Sequence, residues 1–187
     1  GIINSKRSVL SIYDAADGSK TFLTEAPFQV QGTASSGNRI AWAGYEQGDV
    51  EGHAFRLFVY DMARREQREV ELPKEMEIGN LFFITNDRLF FTGQTYEWPG
   101  RSPRFYEYHL EKGSLRELPY MDGAPSSTVG TDASYGGGDK LAAKDGALYF
   151  LHTGWSHAEL WRLDPDDQLT KLCDRPGQIT SFVVGEH

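Results

Sequence analysis

A short unit recurs four times along this 187-residue chain, and no other feature restricts the possible folds so strongly. Its copies are Leu10-Ser-Ile-Tyr-Asp14, Leu57-Phe-Val-Tyr-Asp61, Phe105-Tyr-Glu-Tyr-His109 and Leu160-Trp-Arg-Leu-Asp164, with starts 47, 48 and 55 residues apart. A second unit precedes the last three: Arg39-Ile-Ala-Trp-Ala-Gly44, Arg88-Leu-Phe-Phe-Thr-Gly93 and Ala147-Leu-Tyr-Phe-Leu-His152. Each is a run of apolar, β-branched or aromatic residues that ends in a polar turn, the form of a half-buried strand. A period of this length filled with short strands predicts a β-propeller whose repeat is a four-stranded blade. A β-sandwich or meander shows the same alternation, but it has no cause for a fixed repeat register.

The strands then divide into blades. An all-β, partial propeller is expected, with a partial blade over 7–24 and blades over about 28–72, 78–118 and 139–172. The run 178–184 reads as the first strand of a further blade. Asp17-Gly18, Asn86-Asp87 and Asp145-Gly146 mark turns, because Gly, Asn and Asp tolerate positive φ. Leu10, Leu57, Phe105 and Leu160 are predicted to hold the same place on the third strand of successive blades, buried between sheets. The stretch from Met121 to Gly138 holds almost no aliphatic residue and reads as a loop running over one face.

Charge narrows the function classes. A formal net charge of −8, with Arg64, Arg65 and Arg68 interleaved with Glu66 and Glu69, is opposed to nucleic-acid binding, which needs a concentrated basic face. There is no apolar run of ~18 residues, so no membrane-spanning helix is expected. Cys173 is the single cysteine and excludes an intramolecular disulfide; a cytoplasmic setting is the expectation. The chain opens on Gly1 and enters a strand almost at once, which reads as a piece of a longer protein.

The run Gly130-Thr-Asp-Ala-Ser-Tyr-Gly-Gly-Gly138, with Gly146-Ala-Leu-Tyr-Phe-Leu-His-Thr153 and Glu159-Leu-Trp-Arg-Leu-Asp164, resembles the amino-terminal propeller of the prolyl oligopeptidase family of serine peptidases. The acylaminoacyl-peptidase and dipeptidyl-peptidase-like branch is the nearest in style, and Gln168–Leu172 and Gly177–Phe182 fit its passage from blade to blade. The resemblance implies a propeller of seven or eight blades over a carboxy-terminal α/β-hydrolase domain that carries a Ser/Asp/His triad. The propeller would admit oligopeptides and exclude folded proteins. This chain would supply about half of that propeller and none of the hydrolase, so no catalytic residue is expected in it.

The candidate chemistry is consistent with that view. Gly154-Trp-Ser156-His-Ala158 looks like a nucleophile elbow, yet an elbow needs a strand, a strained turn and a helix, and the residues after Ser156 read as a strand. His53, His152 and His157 lack the spacing of a metal site, and His152 and His157 read as flanking a turn. Gly136-Gly-Gly-Asp-Lys140 lacks the spacer of a phosphate loop, and Asp164-Pro-Asp-Asp167 lacks the register of a calcium loop. No metal and no cofactor are expected. The binding candidates are Tyr96, Trp98 and Arg101, two aromatics and a guanidinium on one loop, a composition suited to a peptide or a neighbouring domain. The alternatives are a stand-alone protein-binding propeller of the WD-like or Tol-associated kind and, more remotely, a glycan-active propeller, for which no converging carboxylate pair is visible. Open flanks at both ends of a half-ring also predict self-association.

Overall fold

The structure, a computed structural model, describes residues 9–25, 27–46, 54–95, 102–119, 121, 124–125, 138–154, 157–173 and 179–185. These residues form strands and turns with no helix. Blade I contributes β1 (Ser11–Tyr13) and β2 (Lys20–Phe22). Blade II is β3 (Phe28–Ser36), β4 (Arg39–Glu46), β5 (Arg56–Asp61) and β6 (Glu66–Val70), paired antiparallel in that order. Blade III repeats the order with β7 (Met76–Thr85), β8 (Arg88–Thr95), β9 (Arg104–His109) and β10 (Ser114–Glu117).

Blade IV departs from this plan in its first strand. β11 (Ala124–Pro125) and β12 (Leu141–Lys144) both pair with β13 (Ala147–Thr153), one after the other along the same edge. β14 (Ala158–Leu163) and β15 (Leu169–Cys173) complete the sheet. Part of the expected loop from Met121 to Gly138 is therefore a strand piece, and most of the rest lies outside the described residues. Asp145 at φ 52° and Gly146 at φ 78° close the β12–β13 hairpin, the two positive-φ positions that a type I′ turn demands. Phe182 joins Asp139 in an isolated antiparallel bridge, with both backbone bonds at 3.0 Å.

The sheets stack as wedges. First strands approach their neighbours closely, β3 against β7 and β7 against β12, while the fourth strands diverge. A groove of about 650 Å³ opens between β6 and β10, lined by Arg68, Leu72, Tyr106, Tyr108, Leu115 and Arg116. Narrow inside and wide outside is the geometry of blades around an axis.

Three buried clusters fill the three boundaries. Leu23, with Leu10 and Ile12, meets Phe28, Trp42 and Phe58 between blades I and II. Ala41, Ala43, Leu57, Val59 and Val70 meet Met76, Ile78, Leu89, Phe91, Tyr106 and Tyr108 between II and III. Phe90, Phe105 and Leu118 meet Leu148, Phe150 and Leu163 between III and IV. Strand alternation explains the division: odd and even residues of one strand serve different boundaries. Leu10, Leu57 and Phe105 all point to the following blade. Leu160 shares their phase, since its neighbours Trp161 and Leu163 point back to blade III. The predicted register holds. Leu57 and Phe105 are buried, while Leu10 and Leu160 are partly exposed.

Polar contacts repeat across the boundaries as well. Arg39 bridges Asp61 of its own blade at 2.9 Å and Glu111 of the next at 2.5 Å. One blade on, Arg88 bonds Glu107 and donates to the Gly146 carbonyl at 3.0 Å. From the fourth strands, Arg68 donates to the Leu110 carbonyl at 3.3 Å, and Arg116 reaches Asp167 at 2.6 Å. Glu107 is 5% exposed and holds Arg88 and Arg116 together, at the place where blade II has Val59.

Two substitutions test this account by urea unfolding. Phe105 lies 5.1 Å from the Phe90 ring and 5.0 Å from the Phe150 ring, so Phe105→Ala opens a cavity at the III–IV boundary. A loss of about 3–5 kcal/mol is expected. Glu107→Ala removes the acceptor that Arg88 and Arg116 share but leaves them Gly146 and Asp167, and should cost less, about 1–3 kcal/mol.

Candidate functional site

Each blade has two ends. One carries the hairpin turns within strand pairs 1–2 and 3–4. The other carries the connections from strand 2 to strand 3, which start after Glu46, Thr95 and Thr153. Tyr96, Trp98 and Arg101 belong to the second of these connections, and all three lie outside the described residues. So do His53, Trp155 and Ser156. The described residues on either side of Ser156 form a β-hairpin: Thr153 is registered with Ala158, and the Gly154 N–H donates to the His157 carbonyl at 3.2 Å.

At this same end, a charged pair recurs one residue ahead of Leu57, Phe105 and Leu160. Arg56 of β5 takes Glu69 of β6 in a two-pronged contact, at 2.8 and 2.7 Å, and holds Glu46 at 2.9 Å. Its guanidinium lies 4.9 Å over the Phe58 ring. Arg104 of β9 pairs with Glu117 of β10 in the same diagonal relation. In blade IV the charges are exchanged. Glu159 stands on the third strand and Lys171 on the fourth, 2.8 Å apart, with the ammonium 5.7 Å from the Trp161 ring.

Glu159 gathers more than its counterparts. Its carboxylate also accepts from Trp161 Nε1 at 2.9 Å and meets His157 Nε2 at 3.1 Å. Lys171, then Trp161 and His157, lower its pKa to about 2. A carboxylate held so firmly as an anion is a fixed anchor and a poor proton donor.

The cross-strand neighbour of Glu159 is His152, and here the structure adds what the sequence reading did not hold. His152 stands near the end of its strand, ahead of the turn. It lies within β13, 5% exposed, and both ring nitrogens are buried without a hydrogen-bond partner. Its place in the repeat belongs to glycine in the two preceding blades. A β-carbon on Gly44 would stand 1.9 Å from the Gln29 carbonyl oxygen and 2.9 Å from the Phe28 ring. One on Gly93 would stand 2.5 Å from Met76 Sδ and 2.8 Å from the Tyr106 ring. In those blades the first strand presses its opening side chain, Phe28 or Met76, over the glycine. In blade IV the first strand is split into β11 and β12, and an imidazole occupies the position. The repeat alignment of Gly44, Gly93 and His152 was the available signal, but only the strand pairing shows what it means.

Among the described residues no group of three or more His, Cys, Asp or Glu side chains is arranged to hold a metal ion. At the strand 2–3 end the described charged groups stand against aromatic rings, most densely around the hydrogen-bonded Glu159.

No family model matches the chain, and no curated protein matches it in sequence. Solved structures do match in fold. An oligogalacturonate lyase in complex with manganese is similar over 91% of this chain and 49% of its own, with a TM-score of 0.63 and 12% identity. Dipeptidyl peptidase 4 of Porphyromonas gingivalis matches over 94% of this chain and 38% of its own, with a TM-score of 0.55 and 11% identity. TolB of Acinetobacter baumannii matches over 96% and 41%, with a TM-score of 0.55 and 15% identity. The chain thus spans half or less of these relatives. At such identities the likeness is one of fold, a partial β-propeller.

The Glu159 cluster makes a pH-dependent contribution of defined sign. Its folded pKa lies below the ordinary value of 4.5, so its stabilisation is complete above that value and fades as pH falls towards about 2. Glu159→Gln should cost about 1–2 kcal/mol at neutral pH, with the gap to the unmodified protein closing below pH 4.5. Urea midpoints measured at each pH check this.

Proposed function

We propose that this chain is a non-catalytic propeller segment of a serine peptidase of the prolyl oligopeptidase family. In this reading it controls the access of oligopeptides to an α/β-hydrolase domain that lies outside the sequence, in a cytoplasmic protein. The observation that carries the reading is the conjunction of the blade IV sequence, Gly146 to Asp164, with a fold similar to peptidases. Besides the dipeptidyl peptidase, a puromycin-hydrolyzing peptidase of Mycobacterium tuberculosis matches over 91% of this chain at a TM-score of 0.59 and 18% identity. The strand 2–3 end, with Tyr96, Trp98 and Arg101 in one connection and Glu159 in the next blade, supplies aromatic and charged groups suited to a peptide main chain.

A second reading has its own support. The likeness to TolB favours a stand-alone protein-binding propeller without any link to proteolysis. The coding sequence downstream of His187 separates the two: a Gly-x-Ser-x-Gly elbow within a few hundred residues belongs to the peptidase reading, and a stop codon near His187 to the binding module.

Two results are expected of the purified chain. It should not turn over aminoacyl or acyl-peptide chromogenic substrates, and turnover that disappears in Ser156→Ala would overturn the assignment. Trp98→Ala should weaken binding of a short unstructured peptide, read by tryptophan fluorescence or calorimetry, by about tenfold, equivalent to about 1.4 kcal/mol. Equal binding by both proteins would remove the loop from the site.

A further inference from the structure

Two fourth strands carry an arginine that latches onto the next blade, and one of the two latches lacks its carboxylate. Arg116 of β10 is registered with Glu107 and reaches Asp167 of blade IV, its Nη1 lying 2.8 and 2.6 Å from the two carboxylate oxygens. Arg68 of β6, registered with Val59, holds the corresponding place in blade II. The residue of blade III that corresponds to Asp167 is Gly113. Asp167 stands two residues before Leu169, the register partner of Leu163, and Gly113 two before Leu115, the partner of Tyr108. Their φ angles are 68° and 62°. Each donates its N–H to the carbonyl three residues back, Asp167 to Asp164 at 2.9 Å and Gly113 to Leu110 at 3.3 Å. The two turns share one form, and only blade IV sets a carboxylate on it.

Arg68 is left with neutral acceptors. Its Nη1 donates to the Leu110 carbonyl at 3.3 Å, and the Tyr108 hydroxyl is its side-chain partner. Glu66 and Glu111 act on it through space alone. A β-carbon on Gly113 would stand 3.4 Å from Arg68 Nη1 and 3.9 Å from Tyr108 Oη, so the glycine keeps a place open beside both groups. A guanidinium has five donors in a fixed fork, and here most of them have no acceptor.

Arg68 and Gly113 both line the groove of about 650 Å³ between blades II and III, in the interior of the arc. Beside them the lining is apolar: Tyr106 belongs to the buried cluster of this boundary, and Leu72 and Leu115 pack against it. Glu69 and Glu117 line the groove as well, but Arg56 holds the first and Arg104 the second, while Glu71 is exposed. β6 and β10 each end their sheet, so the groove runs between two unpaired strand edges, the setting in which extended peptides are taken up.

We propose that this groove binds an extended peptide segment of another protein through an Asp or Glu side chain seated on Arg68, in the place that Asp167 fills one blade on. An apolar side chain next to that carboxylate rests against Tyr106 and Leu115. A carboxylate on a guanidinium makes the stronger, charge-assisted kind of hydrogen bond, and the apolar neighbour shields it from water. Gly113 lies in a strand 3–4 turn, at the end of the blades opposite to the connection that holds Tyr96, Trp98 and Arg101. The site is therefore distinct from the peptide-access end and serves a peptidase propeller or a stand-alone one alike.

Fluorescence anisotropy with a labelled peptide of alternating Leu and Asp, acetylated and amidated at its ends, is the test. The control is the same peptide with Asn in place of Asp. The Asp peptide should bind, and the Asn peptide about tenfold more weakly or worse. Arg68→Gln should abolish that difference. Gly113→Asp should weaken the Asp peptide by about tenfold, because its own carboxylate takes Arg68 as Asp167 takes Arg116. Gly113→Asn, alike in shape but uncharged, should weaken it far less. Arg68 and Gly113 are both exposed, and circular dichroism checks each fold; Gly113→Asp tests the site with Arg68 in place. Absence of binding at millimolar peptide would overturn the proposal, as would equal affinity for the two peptides or a Gly113→Asp chain that binds like the unmodified one. Binding confined to peptides with a free carboxy terminus would overturn it too, by assigning Arg68 to chain ends.

Discussion

A four-stranded sheet in this molecule is apolar on both faces, and everything else follows from that. Leu57 and Trp42 are both fully buried, yet they lie on opposite sides of blade II. No blade satisfies both of its faces alone. Burying a side chain of this size is worth about 1.5–3 kcal/mol, so a blade gains its stability from its neighbours as much as from its own hydrogen bonds. The requirement propagates along the arc, because covering one face of a blade always presents the other. It also brings first strands so close that their opening side chains rest directly on the second strand, which excludes even a methyl group at Gly44.

Polar groups then decide which face meets which. Apolar faces of equal texture could slide against one another or exchange partners. Arg39, Arg68, Arg88 and Arg116 oppose that freedom, since each has an acceptor in the next blade. The III–IV boundary carries this furthest. It buries Glu107 between Arg88 and Arg116, whereas the II–III boundary has Val59 at that place. The exchange of charge in blade IV, Glu159 with Lys171 where the others have arginine with glutamate, distinguishes that blade again.

The repeat was legible in the sequence because the phase of apolar residues is a local property. Leu57 and Phe105 are placed by their own strands, and four copies fix the register without any knowledge of contacts. The candidate site was less legible, for a definite reason. His152 could be aligned with Gly44 and Gly93 from the sequence. Its burial depends on a first strand that is broken between Pro125 and Leu141, a fact about pairing that no local pattern encodes. The diagonal ion pairs were hidden likewise. Arg56 and Glu69 are 13 residues apart and look like ordinary surface charges until the hairpin register joins them. Tyr96, Trp98 and Arg101 were selected by composition alone, and the described residues neither place them nor move them.

The two three-residue strands of blade I bear on how the molecule breathes. Among the described residues β1 and β2 are joined by a single short ladder and covered on one side only. Blades II and III have long paired strands and are covered on both faces. Opening a region costs what it buries, so amide protons should exchange with solvent fastest at blade I and slowest near Trp42, Phe90 and Phe91. The arc would then loosen from its flank inwards, one sheet after another, in the manner of a stack rather than of a globule. Evolution can lengthen or shorten such a stack without redesigning its middle.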